Sequence, residues 1–139
     1  WTLASDALSG LFITDGHHLP ADFIKVAWRA KTPARFIVTS DASPLAGMPA
    51  GRYTIFGGLE VEIEPSGRIF APATQALAGS HATMLDCMNH LAGLGLLSEA
   101  ELIQVGLVNP LRALNLTPAD VAGLPHPEIV FRNGRFSVV

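Results

Sequence analysis

The sequence predicts an α/β fold on two observations: a strand, helix, strand pattern fills residues 11–39, and two hairpin signals, Gly57-Gly58 and Asn133-Gly134, follow further along. Leu11-Phe12-Ile13-Thr14 is a short apolar, β-prone run that stops at Asp15-Gly16, as a buried strand entering a turn does. In the helix that follows, Pro20 suits the first turn and Asp22 complements the positive end of the dipole. Phe23, Val26, Ala27 and Ala30 recur at helical spacing and predict the buried face. Lys25, Arg29 and Lys31 are then assigned to the outer face, and Pro33 closes the helix. Phe36-Ile37-Val38-Thr39 is the second buried strand. Two strands joined through one helix run parallel, with a right-handed crossover. Asp15 and Asp41 therefore leave the same edge of one sheet, the carboxyl edge where barrel and open α/β enzymes place their chemistry.

Residues 43–51 turn to Pro, Gly, Ala and Met and predict a loop at the mouth of a site. A hairpin then runs over residues 51–70, with Leu59, Val61 and Ile63 on one face of its second strand and Glu60, Glu62 and Glu64 on the other. A row of glutamates can bind a cation, but no turn converges these three, so a solvated outer face is the favoured reading. Leu77-Ala78-Gly79-Ser80 leads into a helix whose stripe is Met84, Leu85, Met88 and Leu91, with Gly93 as its stop. Ser98 and Glu101 form a capping box for a further helix, with Leu102, Ile103 and Leu107 facing inward. Asn109-Pro110 is expected to break that helix, with Leu111 to Leu114 continuing as another turn or two. Ile129-Val130-Phe131 and Phe136-Ser137-Val138 bracket Asn133-Gly134 as a closing hairpin.

Bulk properties narrow the function. With 139 residues the chain falls short of a whole eight-fold barrel, which needs about 200 residues at least. A net charge of -3 and 15% charged residues, with no basic stripe, argue against nucleic acid or an anionic membrane as partner. Soluble domains of this size carry about a quarter charged residues, so part of this surface is expected to pack against further protein. No apolar run approaches the roughly 20 residues of a bilayer span. Trp1 to Gly10 has neither a basic n-region nor a long apolar h-region, which predicts a cytoplasmic setting. The single cysteine, Cys87, reads as a buried inert thiol.

Two carboxylates and two imidazoles are the candidates for chemistry. Asp15-Gly16-His17-His18 follows the first strand, and its glycine lets a ligand or another backbone approach closely. The plainer alternative is a turn carboxylate holding its own backbone beside solvent-facing histidines. Asp41 ends the second strand, behind the hydroxyls of Thr39 and Ser40. A carboxylate there can take a proton from water and pass it to a leaving amine. Its plainer alternative is a helix or turn cap. His81, His90 and His126 read as surface or packed histidines. No His-x-His, His-Glu-x-x-His, Cys-x-x-Cys, Gly-x-Ser-x-Gly or phosphate-cradling glycine loop occurs, so no metal site is encoded locally.

The order of these signals resembles a known family. Ile13-Thr14-Asp15-Gly16-His17-His18, Val38-Thr39-Ser40-Asp41-Ala42, Gly51-Arg52-Tyr53 with Gly57-Gly58, Leu77-Ala78-Gly79-Ser80 and Asn109-Pro110-Leu111-Arg112-Ala113 look like the C-terminal part of the N-acetylglucosamine-6-phosphate deacetylases of the amidohydrolase superfamily. The likeness runs from about Leu11 to Leu116. It implies the C-terminal portion of a TIM-type (β/α) barrel over residues 1–116, with an inserted hairpin and two closing helices, and a return over 117–139 to a small β-sandwich domain. It implies Asp41 as general acid/base, and a sugar-phosphate pocket formed by Asp15, Gly16, His18, Leu77, Ala78 and Gly79. A divalent metal, zinc or iron, is implied too, held mainly by a Glu and two His of an upstream barrel portion outside this chain. A homodimer is implied for the complete protein. Two departures stand out: Ser40 intervenes where the family has Thr directly before Asp, which predicts a local bulge or shifted register, and residues 117–128 are short for the usual return. A silent sugar-phosphate-binding or assembly module, and an amidohydrolase for a different N-acyl or cyclic amide, stay open beside the deacetylase.

Overall fold

A computed structural model describes all residues, 1–139. Strand β1 (Gly10–Ile13), helix α1 (Ala21–Arg35) and strand β2 (Phe36–Thr39) form the expected parallel unit, paired from Gly10↔Phe36 to Ile13↔Thr39. The strands are held by aromatic packing: the rings of Phe12 and Phe36 stack at 4.3 Å, and Trp28 meets Phe36 edge-on at 5.8 Å. No other strand pairs with β1 or β2, so both present a free edge.

Helix α1 departs from the predicted face. Ile24, Ala27 and Lys31 are buried, whereas Phe23 and Val26 are 40% and 56% exposed. The decisive residue is Lys31, which the polar pattern assigned to solvent. Its ammonium donates to the carbonyls of Ser5 (2.5 Å) and Leu8 (2.9 Å), so its alkyl stem lies inside while its charge is satisfied by the folded-back N-terminal segment. The helix proper ends where predicted. Pro33 bars the residue before it from helical angles, and Thr32 leaves the helix at φ 57° and ψ 167°.

The predicted hairpin is the start of a larger antiparallel sheet: β3 (Gly51–Ile55), β4 (Leu59–Ile63), β5 (Ile69–Ala71) and β6 (Ala76–Leu77), in that order. Val61, Ile63, Ile69 and Ala71 form its small core, and the glutamates point away, each partnered at the surface: Glu60 accepts from Thr54, Glu62 pairs with Arg52 and Glu64 with Arg68. Leu77 thus belongs to a strand and does not lead straight into a helix.

Helix α2 (Met84–Gly93) starts at a capping box between Thr83 and Asp86, and buries Cys87, Met88 and Leu91 against the β1–α1–β2 core. Helix α3 (Glu99–Ile103) begins at the predicted Ser98–Glu101 box. It is not broken at Asn109-Pro110. A π-helical turn (Gln104–Val108) joins it to α4 (Asn109–Ala113), and this wider turn helps admit a proline that an α-helical ladder would reject. Of the residues expected to face inward, Leu102 is buried, whereas Ile103 and Leu107 are 42% and 46% exposed and Val105 takes a buried place. Asn109 is fully enclosed: its amide donates to Pro33 O (2.6 Å) and Phe36 O (2.7 Å), locking α4 onto the α1–β2 junction. Helix α5 (Pro118–Val121) and the closing hairpin β7 (Ile129–Arg132) and β8 (Arg135–Val138) complete the chain. Asn133 and Gly134 have φ 53° and 76°, the left-handed pair that a tight hairpin turn requires. The hairpin forms its own two-stranded sheet and docks on α2, where the Asn89 side chain pairs with both the N–H and the carbonyl of Phe136. No helix is long and apolar enough to cross a membrane.

Candidate active site

The turn after β1 is organised by Asp15. One carboxylate oxygen accepts the backbone N–H groups of His17 (2.9 Å) and His18 (3.0 Å). The other accepts the Ser80 hydroxyl (2.7 Å) and His18 Nδ1 (2.9 Å). Burial raises the pKa of this carboxyl, but the four donors outweigh it and hold the group at about 2. With its side chain 1% exposed and its lone pairs engaged, Asp15 is an internal organiser of the turn. Gly16, at φ +84°, faces the ring of His90: a Cβ there would lie 2.9 Å from His90 Cε1. The close approach that this glycine permits is therefore taken by a side chain of α2. His18 is fixed through Nδ1, so Nε2 is the ring nitrogen left for a ligand, and the residue borders an open hollow of about 510 Å³ along β1.

Asp41 follows β2 at the same edge, yet its situation is the reverse. It is exposed, it adopts φ 48°, and its carboxylate enters no hydrogen bond or ion pair. It caps neither a helix nor a turn. The left-handed angle is one that Asp tolerates better than most residues, because its short polar side chain can hydrogen-bond locally.

Residues 77–80 join the two turns. The Ser80 N–H donates to Asp41 O (2.9 Å), and Ser43 N–H donates to Ser80 O (2.8 Å), a parallel bridge that sets Ala42 beside Ser80. Gly79, at φ +74°, makes the approach possible, since a Cβ there would lie 3.1 Å from Ser43 Cβ and 3.3 Å from Asp41 O. Ala78 packs on the core of the antiparallel sheet, which anchors this segment from the other side. Of the candidate site residues, then, Asp15, Gly16 and His18 form one cluster, Asp41 lies across Gly79 from it, and Leu77 and Ala78 lead into the contact. Sequence reasoning missed Ser80 and His90 as members. Ser80 stood in a quoted motif, but its role depends on pairings 37 and 65 residues away, since Ser80 meets Ser43 and Asp15. No three His, Cys, Asp or Glu side chains converge as a metal site requires, so the chain offers no cage for the divalent metal that the resemblance implies.

No family model matches the chain. Relatives do. The chain is 33% identical over 105 residues to a putative N-acetylgalactosamine-6-phosphate deacetylase of Escherichia coli K12, covering 75% of this chain and 60% of that protein. It is 32% identical over 115 residues to the N-acetylglucosamine-6-phosphate deacetylase of Danio rerio, covering 82% of this chain and 26% of that protein. This chain is a homologue of part of the N-acetylglucosamine- and N-acetylgalactosamine-6-phosphate deacetylases. It spans only part of its relatives' length. Its fold matches a Mycobacterium smegmatis N-acetyl-D-glucosamine-6-phosphate deacetylase variant, solved in complex with N-acetyl-D-glucosamine-6-phosphate, with a TM-score of 0.75 at 23% identity, over 99% of this chain and 40% of that one. The shared architecture is mixed α/β, and the deacetylases named here are hydrolases of amino-sugar phosphates.

Proposed function

We propose that this chain carries the acid/base carboxylate and part of the sugar-phosphate pocket of a deacetylase acting on an N-acetylated amino-sugar 6-phosphate. One observation supports this above the others: of the two aspartates at the carboxyl edge of the parallel pair, only Asp41 keeps a carboxylate free of protein partners. A proton shuttle needs an unengaged carboxylate that can exchange a proton with water and with the leaving nitrogen. In this reading water oxygen attacks the acetamide carbonyl carbon while Asp41 takes its proton. Asp41 then protonates the amide nitrogen, the carbon–nitrogen bond breaks, and acetate and the free amino sugar phosphate leave. His18 Nε2, aimed by Asp15, contacts the sugar-phosphate end, and residues 77–79 line the sugar. Strand β2 pairs in regular register through Thr39, and the left-handed angle falls at Asp41, beyond the strand end. Any divalent metal belongs to residues outside this chain, as does the upstream barrel portion, and the activity is placed in the cytoplasm.

The test uses the complete protein, this chain together with its upstream portion. It is incubated with N-acetylglucosamine 6-phosphate and with the galactosamine epimer, and released amine is measured. Turnover that falls by at least about 10²-fold in Asp41→Asn supports the assignment. Turnover unchanged by that substitution rejects it.

A further inference from the structure

Ser80 is 1% exposed and uses every polar atom it has. Its hydroxyl donates to Asp15 Oδ2 (2.7 Å) and accepts from Ala82 N–H (3.1 Å). Its backbone N–H and carbonyl clasp Asp41 O and Ser43 N–H. These bonds reach the two strand-end turns separately: the hydroxyl reaches only the turn of Asp15 and His18, and the backbone reaches only the turn of Asp41. The Ser80 hydroxyl and His18 Nδ1 converge on one oxygen, Asp15 Oδ2, so the hydroxyl helps fix the carboxylate against which the His18 ring is oriented.

We propose that Ser80 is a positioning residue for both ends of the substrate, aiming His18 through its hydroxyl and Asp41 through its backbone. This rests on the deacetylase reading above. Because the two functions use different atoms of one residue, they can be separated. Ser80→Ala deletes the hydroxyl and keeps the backbone clasp. Gly79→Ala keeps the hydroxyl and presses a Cβ on Ser43 and on the Asp41 carbonyl, at a left-handed φ that resists any Cβ.

The complete protein is assayed with N-acetylglucosamine 6-phosphate as wild type, Ser80→Ala, Ser80→Thr, Gly79→Ala and Asp41→Asn, with a thermal melt for each. Ser80→Ala should raise KM by about ten-fold with kcat little changed, the size of one hydrogen bond to a charged group. Ser80→Thr, which restores a hydroxyl, should return KM toward wild type. Gly79→Ala should lower kcat by about ten-fold or more, as a misplaced catalytic group does. A purely structural role would instead move KM and kcat together with the melting temperature. Equal KM in wild type and Ser80→Ala, or a raised KM in Ser80→Thr with a normal melt, overturns the proposal. If Asp41→Asn retains its kcat, the acid/base reading fails by itself, and the effect of Ser80 on KM still decides the His18 arm.

Discussion

Asp15 and Asp41 occupy equivalent places, each just beyond a strand of one parallel pair, and the fold treats them oppositely. Asp15 is enclosed, saturated with donors and held ionised with its pKa at about 2. Asp41 is exposed and left-handed, and its carboxylate has no protein partner. Two identical side chains at one sheet edge therefore meet opposite surroundings, one closed within its turn by four donors and one whose carboxylate has no protein partner. What separates them is the segment at Ser80, whose hydroxyl points at Asp15 and whose backbone meets only the main chain at Asp41.

The largest expected effect breaks the comparison at Asp41. In the complete enzyme Asp41→Asn should lower kcat by at least about 10²-fold while leaving the melting temperature close to wild type, since its carboxylate has no partner to lose. Near-normal kcat in Asp41→Asn, together with an inactive but folded Asp15→Asn, would exchange the two roles.

Asp15→Asn is expected to act on stability first. An amide cannot accept from all four donors, and its NH2 would face at least one of them. Leaving a buried donor unmatched costs about 1–3 kcal/mol, so the denaturant midpoint should fall accordingly at unchanged cooperativity. A midpoint equal to wild type would show that the four contacts are not maintained in solution.

Much of this architecture was legible, and the misses have identifiable causes. The β1–α1–β2 unit could be read because Phe36 to Thr39 is a clean apolar run and Pro33 dictates where the helix ends. Both helix starts are legible as capping boxes, Thr-x-x-Asp at Thr83 and Ser-x-x-Glu at Ser98. The face of α1 was misassigned because burial of Lys31 is decided by two carbonyls more than 20 residues upstream, which no helical periodicity contains. Strands β5 and β6, three and two residues long, are too short to show alternation. At the site, the positions of Asp15 and Asp41 followed from strand ends alone. Their opposite environments did not, because they depend on contacts from Ser80 and His90 that only tertiary packing brings in.

A smaller effect sharpens the comparison through pH. The Asp15 pKa lies below its ordinary value of 3.8, so the folded state gains stability from the ionised carboxylate above that value and loses it as pH falls through about 2. Denaturation midpoints followed from about pH 5 down to pH 2 should decline in the wild-type protein, with a shallower decline in Asp15→Asn. Parallel profiles for the two proteins would remove Asp15 as a source of the acid sensitivity.

The smallest expected effect supplies the baseline against which both aspartates are judged. Glu62 also sits at a strand position with a cationic partner, Arg52 Nε at 3.3 Å, but the arginine side chain is 81% exposed and the glutamate 40%. Water screens such a pair and its ordering costs side-chain entropy, so Glu62→Ala should shift stability by no more than about 0.5 kcal/mol. It should also leave kcat and KM of the complete enzyme unchanged, because the face formed by Glu60, Glu62 and Glu64 points away from the sheet core and each glutamate meets a surface partner on its own sheet or turn. Equilibrium denaturation and steady-state kinetics on this one variant check both statements. A large loss of activity would mean that the row of glutamates binds something after all, most directly a cation, and the contrast between Asp15 and Asp41 would no longer account for all the carboxylate chemistry of this chain.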